Sequence, residues 1–390
     1  MITLRPGSHA YRLLLLLSAA GEFPTRSMRL LGSVRSLEAL VYRLEHTQQF
    51  RNESGADLGS CKMLSVSGKR DGRTIRLHKT ALPLLNTLHP AALEQYLALS
   101  GGHRFSSSTG HVQRNHRVAE TLAMCMGAGI EFRPYALPVL QKQCIAQVVP
   151  TSPALYIARS LKRLDSTEMS KTIFTRLTGA LFAHETCWAV YNTRSAVMKW
   201  SGMGEFKTAQ HLAELARMNA GIPQADHALL LGECMDIALR TMEESDKSRR
   251  MELRFDRIYP HIHFIPLDRQ GIRLLRILML PNWNEQLLSA VFPSEWRAAS
   301  PGIIEHDAQR DGIFILSHLD GDLARLLRLR QALEHSEARC EVLCFPWQTA
   351  FVRDYLGNRV GLREVTVDAL EDALGLTDPE DSDPHKEVPP

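Results

Sequence analysis

The order of helix and hairpin signals in residues 8–79 constrains the fold of this 390-residue chain more than any other feature. Ser8 precedes the apolar run 13–17 and Gly21 follows it. This pattern predicts a helix that begins at a side-chain cap and ends at a glycine. Pro24 can begin a second short helix, because the first helical position needs no backbone N–H. Two helices in such close succession require a tight turn between them.

A third helix and a hairpin complete this pattern. Gly32 can end the second helix and Ser33 can cap the third. The apolar positions of the third helix follow the spacing of one buried face: Leu37, Leu40, Val41 and Leu44. Its opposite face consists of Arg35, Ser36, Ala39, Tyr42, Arg43 and His46. A strand at 61–67, the turn Asp71-Gly72 and a strand at 74–79 predict a hairpin. Three helices followed by a basic hairpin are the order of a winged helix-turn-helix.

Positive charge is concentrated in the same segment. Residues 1–80 contain thirteen Lys or Arg and six Asp or Glu, a net charge of +7, whereas the whole chain has +3. Such a distribution favours a polyanionic partner, and we expect double-stranded DNA. The residues expected to contact base edges or phosphates are Arg35, Ser36, Tyr42, Arg43, Lys69, Arg70, Arg73 and Arg76. The alternative is a protein–protein role for the same module.

The apolar run 13–17 and the Ser18-Ala19-Ala20 that follows it also resemble a signal peptide. The run of five residues falls just short of the roughly 7–15 that such a core needs, and the first predicted helix accounts for it. No later stretch approaches the ~18 apolar residues of a membrane span. Cys340 and Cys344 are the one close pair among seven cysteines, without the second pair of a zinc site. We therefore expect a cytoplasmic protein with reduced thiols, no membrane association and no bound metal.

The chain divides by composition into four parts. Residues 1–99 form the predicted DNA-binding domain, and residues 100–150 begin with a Gly/Ser-rich stretch and form a linker with a connecting helix. Residues 151–376 alternate short apolar strands with helices, which predicts an α/β layered domain with an at least partly parallel sheet. Residues 377–390 are rich in acids and proline, as is typical of a disordered tail. The predicted fold class is therefore multi-domain α/β.

Glu205-Phe206-Lys207 has the E-x-K spacing of nucleases with the restriction-endonuclease fold. In those enzymes one strand directs a carboxylate to a divalent metal and a lysine to the attacked phosphate or its water. A second acid is needed, for which Glu185 is the best placed, and the cofactor would be Mg²⁺. Gly202 and Gly204 suit a loop or the start of a helix, so we favour Glu205 as an acid in a first helical turn. We predict no other cofactor.

Two further groups have chemistry that a site could use. His261 and His263 would share one face of a strand, a geometry that some metal sites use, but no third ligand is visible nearby in the sequence. We favour partly exposed sheet histidines. The loop 318–322 follows a buried strand, where α/β folds place ligand-binding loops. We favour a helix cap at Asp320 or Asp322. Nothing specific here indicates an enzyme.

Several segments together resemble a known family. They are the opening leucine-rich helix with 21–24, the helix at 37–44, the basic hairpin, and the segments 176–181, 189–192 and 198–205. These segments resemble the replication-relaxation family, proteins of conjugative and other mobile elements of Gram-positive bacteria. The resemblance implies an N-terminal winged helix joined to an α/β domain similar to the restriction-endonuclease fold. Because the acid and E-x-K set is incomplete here, it implies a non-catalytic second domain.

The resemblance also implies a function, a DNA-binding accessory in the replication or transfer of a plasmid or other mobile element. Mobilisation or replication proteins are then the further partners. The sequence also leaves open whether the protein forms a homodimer, for which the predicted helix at 111–127 is the candidate interface. Two alternatives stay open. One is a transcriptional regulator that senses a small ligand at the loop 318–322, and the other is a metal-dependent nuclease that uses Glu205 and Lys207.

Overall fold

The chain is of mixed α/β class, as predicted. The computed structural model describes residues 1–69, 72–105, 108–132, 153–162, 176–184, 186–198, 203–222, 224–246, 254–297 and 304–376. None of the helices in these ranges combines the length and the apolar character that a membrane crossing requires. Arg70, Glu185 and the predicted tail at 377–390 lie outside the described residues.

The N-terminal part contains two small sheets, with strand orders β2-β6-β5 and β1-β3-β4. The described elements are, in chain order, β1 (Ile2–Leu4), α1 (His9–Ala20), β2 (Glu22–Pro24), a 3-10 helix (Thr25–Leu30), α2 (Val34–Leu44), β3 (Gln48–Asn52), β4 (Asp57–Cys61), β5 (Leu64–Ser67), β6 (Thr74–Leu77), a second 3-10 helix (Lys79–Ala81), α3 (Leu82–Leu88), α4 (Pro90–Leu99), α5 (Thr109–Gly127) and β7 (Glu131–Phe132). The sheet β2-β6-β5 is antiparallel throughout.

Helices α1 and α2 form for the reasons that the sequence suggests. The Ser8 hydroxyl accepts the backbone N–H of Tyr11 at 3.4 Å, and Gly21 ends α1 with a φ of 82°. Leu13, Leu14, Leu16 and Leu17 of α1 are buried in the core, which explains why this stretch is so apolar. In α2, Leu37, Val41 and Leu44 are buried as predicted, and the opposite side of the helix faces solvent.

Three details of this part differ from the prediction. Pro24 lies at the end of strand β2, and the second helix is a 3-10 helix that begins one residue later. The predicted strand 61–67 is divided, because Cys61 ends β4 and β5 begins at Leu64. The sheet β1-β3-β4 was not predicted. Its strand β3 is polar except for Phe50, so it lacks a clear strand pattern.

The C-terminal part alternates strands and helices. Its described elements are β8 (Ala154–Ile157), α6 (Ala158–Leu161), β9 (Leu177–Ala183), β10 (Thr186–Arg194), α7 (Met203–Ala220), β11 (Gln224–Gly232), α8 (Met235–Asp246), α9 (Phe255–Ile258), β12 (His261–Pro266), α10 (Arg269–Leu278), α11 (Trp283–Val291), a 3-10 helix (Ser294–Trp296), β13 (Ala308–Arg310), β14 (Ile313–Ser317), α12 (Leu323–Glu334), β15 (Cys340–Cys344), a 3-10 helix (Pro346–Gln348), α13 (Thr349–Leu356), a 3-10 helix (Gly357–Arg359), β16 (Val360–Glu364) and α14 (Val367–Ala373).

These strands form two mixed sheets. The first has the order β12-β11-β10-β9-β8-β7, and the second has the order β13-β14-β15-β16. In the first sheet β10, β11 and β12 are parallel, and α7 makes the crossover from β10 to β11. In the second sheet β14, β15 and β16 are parallel. The sheets meet where the N–H of Phe264 donates to the carbonyl of Gly321 at 2.9 Å. The predicted partly parallel sheet is confirmed.

Helix α5 lies between the N-terminal elements and the six-stranded sheet. It packs against α1, β2 and the first 3-10 helix on one side, and against β8, β9, β10 and α10 on the other. Gly127 allows the approach to α10, since a Cβ there would lie 3.0 Å from the Ile272 side chain. His116 and Glu120 of this helix are buried in the protein. One continuous apolar core therefore joins the N-terminal segment to the sheet.

Candidate functional site

The outer face of α2 presents the side chains predicted to contact DNA. Arg35, Ser36, Tyr42 and Arg43 are all exposed. The Tyr42 side chain is 67% exposed, an unusual state for a large aromatic residue. The helix itself is fixed to the sheet, because the Glu45 carboxylate accepts the backbone N–H of Val66 in β5 at 3.2 Å. The structure therefore directs a polar, basic helix face outward from a helix that is hydrogen-bonded to the neighbouring sheet.

The hairpin after β5 presents two more of the predicted residues. Lys69 and Arg73 are exposed, and the N–H of Gly72 donates to the Lys69 carbonyl at 3.1 Å. Gly68 has a φ of 89°, and a Cβ there would lie 2.4 Å from the Gly72 carbonyl oxygen. The base of the hairpin is held because both the N–H and the hydroxyl of Thr25 donate to the Arg73 carbonyl.

Arg76 has a different environment from the one predicted. Its guanidinium donates twice to the Glu22 carboxylate, at 2.9 and 2.7 Å, and lies 4.5 Å from the centroid of the Phe105 ring. Glu22 also accepts the Asn115 amide of α5 at 2.8 Å. The Arg76 guanidinium is therefore already engaged by Glu22 and Phe105, and we remove Arg76 from the predicted DNA contacts.

A cluster of three histidine rings lies on the six-stranded sheet. His227 of β11 is the register partner of His261 in β12, and their rings stack at 4.6 Å between centroids. His263, two residues further along β12, lies 5.3 Å from the His227 ring. The indoles of Trp188 in β10 and Trp283 in α11 border the cluster at 4.4 and 6.4 Å from His227. We call these three histidines the histidine cluster.

Two aspartates after β14 hold the cluster from one side. Asp322 accepts the Nδ1 of His261 at 2.8 Å and the backbone N–H of Ile262 at 3.1 Å. Asp322 also caps α12, as predicted, by accepting the N–H of Ala324 at 2.9 Å. The carbonyl of Asp320 lies 3.0 Å from the Nδ1 of His263. The loop 318–322 therefore serves as both a helix cap and a support for the histidine side chains.

The charges of the cluster follow from burial and from these hydrogen bonds. Burial, with the neighbouring histidines, lowers the pKa of His227 to about 2. Burial opposes the charged form of His261 as well, but the hydrogen bond to Asp322 raises the pKa of His261 above its ordinary value. Burial also opposes the charged form of Asp322, yet the hydrogen bond from His261 holds the pKa of Asp322 below its usual range. Burial lowers the pKa of His318, in the same loop, to about 3.

The prediction from sequence found only part of this cluster. It named His261 and His263 as a pair on one strand face but favoured partly exposed sheet histidines, which holds for His261 and is wrong for the fully buried His263. It missed His227 and the neighbouring Asp226, which the parallel register of β11 brings beside them. The available signal was the position of His227 directly before the apolar run 228–232. Two neighbouring parallel strands align such histidines when each histidine stands at the start of the segment that the strands share, as His227 and His261 do here.

Glu205 and Lys207 do not form a strand pair. Glu205 lies in the first turn of α7, as predicted, where its buried carboxylate accepts the Arg176 guanidinium at 2.5 Å. Lys207 is exposed two residues later on the same helix. Side chains two positions apart on a helix point in different directions, so these two do not converge on one phosphate. The described residues therefore lack the strand-borne E-x-K geometry.

Comparisons with protein-family models, with curated proteins and with solved structures found no match to this chain. The resemblance to the replication-relaxation family stays a prediction from the sequence. The exposed basic face and the histidine cluster are consequently interpreted from their own geometry.

Proposed function

We propose that this protein binds double-stranded DNA through a winged helix formed by residues 8–79. The observation that supports this most directly is the strand order β2-β6-β5, with α1 before it and a short helix and α2 between its first and second strands in the chain. In this arrangement α2 would be the recognition helix and the hairpin β5–β6 the wing. The β3–β4 hairpin between α2 and β5 would be an insertion.

The dimensions and charge of α2 fit the major groove. Its 11 residues span about 16 Å, and a groove about 12 Å wide admits one helix. Arg35 and Arg43 lie at opposite ends of the exposed face, so they would reach bases or phosphates at two points of the duplex. Lys69 and Arg73 of the wing would contact the adjacent phosphates. The 3-10 helix Thr25–Leu30 is not assigned a DNA contact, because it is bound to the C-terminal part. Its Arg29 side chain donates to the Leu267 carbonyl at 3.3 Å.

The biological process that we assign to this DNA binding is based on the sequence resemblance alone. That resemblance would assign the protein to the replication or transfer of a mobile element, together with mobilisation or replication proteins. DNA binding is the part of this proposal that the described geometry supports. In this proposal the α/β part is non-catalytic toward DNA. The reason is that Glu205 lies on a helix and its carboxylate is already paired with the Arg176 guanidinium.

The test is fluorescence anisotropy of a labelled duplex titrated with the full-length protein across a salt series. The full chain is used because the apolar core is continuous between the two parts. We expect affinity to fall steeply with salt concentration, as counterion release requires. Replacing Arg35 and Arg43 together with alanine should lower the affinity at least tenfold and reduce the salt slope by about 1 for each lost phosphate contact.

The matched control is the replacement of Arg339 and Arg359 with alanine. Both are exposed arginines of the C-terminal part, so the change in net charge is the same. This variant should bind like the original protein. If both double variants lose affinity for DNA equally, net charge alone accounts for the loss. If the original protein does not bind DNA at low salt, the proposal is wrong. The α2 face would then be a protein-binding surface.

A further inference from the structure

The amino ends of β11 and β12 bring three metal-ligating side chains together, apart from the proposed DNA-binding face. Asp226, His227 and His261 each offer one ligand atom, and these atoms all lie within 4.8 Å of one another. All three residues are half-buried at the margin of the six-stranded sheet. A cluster of this composition occurs as a metal site or as a hydrogen-bonded group, and the details of its hydrogen bonds distinguish the two.

A β-bulge explains why the consecutive residues Asp226 and His227 act on the same side. Between the register pairs Thr186–Gln224 and Trp188–His227, β11 advances by one residue more than β10. Regular strand geometry would direct Asp226 and His227 to opposite faces. The extra residue redirects one of them, so that the Asp226 Oδ1 lies 3.6 Å from the His227 Nε2. Bulges that redirect a side chain in this way are concentrated next to functional sites.

The hydrogen bonds of His261 leave one ring nitrogen available. Its Nδ1 lies 2.8 Å from the Asp322 carboxylate, which can only accept, so Nδ1 carries the hydrogen. In the neutral ring the Nε2 is then a lone-pair donor, as a metal requires. Asp322 is itself held by the backbone N–H groups of Ile262 and Ala324. A histidine whose other nitrogen donates to a fixed carboxylate is the usual state of a metal ligand.

A longer chain of hydrogen bonds, which runs through His263, fixes the hydrogen positions of the second ligand ring, His227. The His263 Nδ1 donates to the Asp320 carbonyl at 3.0 Å, so the Nε2 of neutral His263 is an acceptor. That Nε2 lies 3.0 Å from the His227 Nδ1, which must therefore donate. The remaining Nε2 of His227 is then a lone pair that faces the Asp226 Oδ1. Two acceptors thus face each other at 3.6 Å without a hydrogen between them.

The Asp226 carboxylate supplies a second, independent observation. Its Oδ1 is shielded from solvent, and among the residues that the structure describes no donor lies within hydrogen-bond distance of it. A buried carboxylate oxygen without a partner is costly, because it loses its hydration and gains nothing in return. A cation between this oxygen and the two imidazole nitrogens would remove that cost and would separate the two facing acceptors.

We propose that Asp226, His227 and His261 bind a divalent transition-metal ion, with Zn²⁺ as the first expectation. Zinc takes two imidazole nitrogens and one carboxylate oxygen readily, with a fourth position left for water or another ligand. The ligands of a tetrahedral zinc ion lie roughly 3.3 Å apart. The ligand atoms here lie within 4.8 Å of one another, so the side chains need to approach by up to about 1.5 Å. The His261 and Asp226 side chains are 33% and 39% exposed, so the site lies at a margin of the sheet where water is available as the fourth ligand.

The test is zinc binding by the full-length protein after chelator treatment, measured in competition with a chromophoric chelator. We expect one Zn²⁺ per chain. Cobalt(II) in the same site should give the visible absorption of a four-coordinate ion, a signal that a purely structural cluster would not produce. His227→Ala and His261→Ala should each lose more affinity than the roughly 10–100-fold that loss of an outer partner causes. The control His335→Ala removes an exposed histidine and should bind as the original protein does.

Two further measurements keep the test independent of folding. Zinc should raise the melting temperature of the original protein and of His335→Ala, but not that of His261→Ala, whose own unfolding transition shows that it is folded. Asp322→Asn retains the helix cap but replaces the carboxylate beside His261. As a positioning change it should weaken zinc binding roughly 10–100-fold and retain the cobalt spectrum. Zinc binding that is substoichiometric, or that survives in His227→Ala and His261→Ala, overturns the proposal.

Discussion

Glu120 of α5 and Arg194 at the end of β10 form an ion pair of 2.9 Å that is almost fully withdrawn from solvent. Their side chains are 3% and 4% exposed. The same carboxylate accepts the hydroxyl of Ser27 at 2.6 Å and the amide of Asn192 at 3.2 Å. One side chain of α5 thus connects the first 3-10 helix to the six-stranded sheet. This network is therefore one of the polar links between the proposed DNA-binding part and the sheet, beside the apolar core that they share.

Replacing Glu120 with glutamine should destabilise the protein by ~3 kcal/mol, because it leaves the buried Arg194 guanidinium without its counterion. Urea unfolding followed by circular dichroism measures this change. The control is Arg240→Met, which breaks an exposed pair with Asp236 at 3.7 Å and should cost no more than ~0.5 kcal/mol. Equal losses in the two variants would show that the Glu120 pair contributes nothing beyond an ordinary surface pair.

His116 should make the protein less stable in mild acid. Burial, with help from the charges of Arg194 and Arg26, lowers the pKa of His116 to about 4, whereas an unfolded chain has an ordinary histidine near 6.5. Between these two pH values the unfolded chain binds a proton that the folded protein does not. The free energy of unfolding therefore falls as the pH is lowered, by up to ~3 kcal/mol at pH 4 from this group alone.

The measurement is the unfolding free energy of the original protein and of His116→Gln between pH 7 and pH 4. Glutamine can donate to the Thr74 hydroxyl, which lies 3.1 Å from the His116 Nε2. The variant should lose less stability over this range, since other titrating groups contribute equally to both proteins. Parallel pH profiles would contradict the assignment to His116.

The sequence predicted the elements that have strong local patterns. Strand β12 and helix α12 begin and end at the predicted residues, and Asp322 caps α12 as expected. The buried face of α2 was also predicted, because three of its apolar residues, Leu37 among them, recur at helical spacing. In these cases the pattern within a dozen residues decides the result.

Contacts between distant residues were not predictable in this way. The helix α5 contains His116 and Glu120, which suggest a solvated face, yet both are buried because Thr74 and Arg194 supply their partners from distant strands. The histidine cluster depends on the register of β11 against β12 and on one bulge. The position of His227 before an apolar run suggests the pairing, but the register itself and the bulge depend on the partner strands and not on the local sequence.

The shape of the hairpin at the tip of the wing should depend on Gly68. Alanine there would combine a φ of 89° with a Cβ 2.4 Å from the Gly72 carbonyl oxygen, so the hairpin must change its shape. We expect weaker DNA binding and a smaller salt slope, because Lys69 and Arg73 would be displaced. The measurement is the same anisotropy titration on the full-length protein.

The control is Gly55→Ala, in the turn between β3 and β4. Gly55 has a φ of 84°, so the backbone strain is similar, but nothing lies within 4 Å of the added Cβ. Both variants should lose roughly 1 kcal/mol or more of stability from the strained φ, and only Gly68→Ala should change the salt slope. An unchanged slope in Gly68→Ala would exclude the hairpin tip from the DNA contacts.

Arg73 and Arg76 lie three residues apart, but their replacement should affect different properties. Replacing Arg76 should lower stability, and replacing Arg73 should weaken DNA binding. Arg76→Gln removes the charged partner of the buried Glu22 and the contact with the Phe105 ring, so we expect a loss of ~1–3 kcal/mol in unfolding free energy. The Arg76 side chain is 22% exposed, which keeps the cost below that of a fully buried pair. Arg73→Gln removes an exposed charge, so stability should stay within ~0.5 kcal/mol.

DNA binding should show the reverse order. Arg73→Gln should weaken binding about equally for different duplex sequences and reduce the salt slope by about 1, because a phosphate contact is lost without any base contact. Arg76→Gln should leave the slope unchanged, since its guanidinium is already paired with Glu22. Unfolding in urea and the anisotropy titration together separate the two residues. A reduced slope in Arg76→Gln would return Arg76 to the DNA-binding face, and it would mean that the Glu22 pair opens when DNA binds.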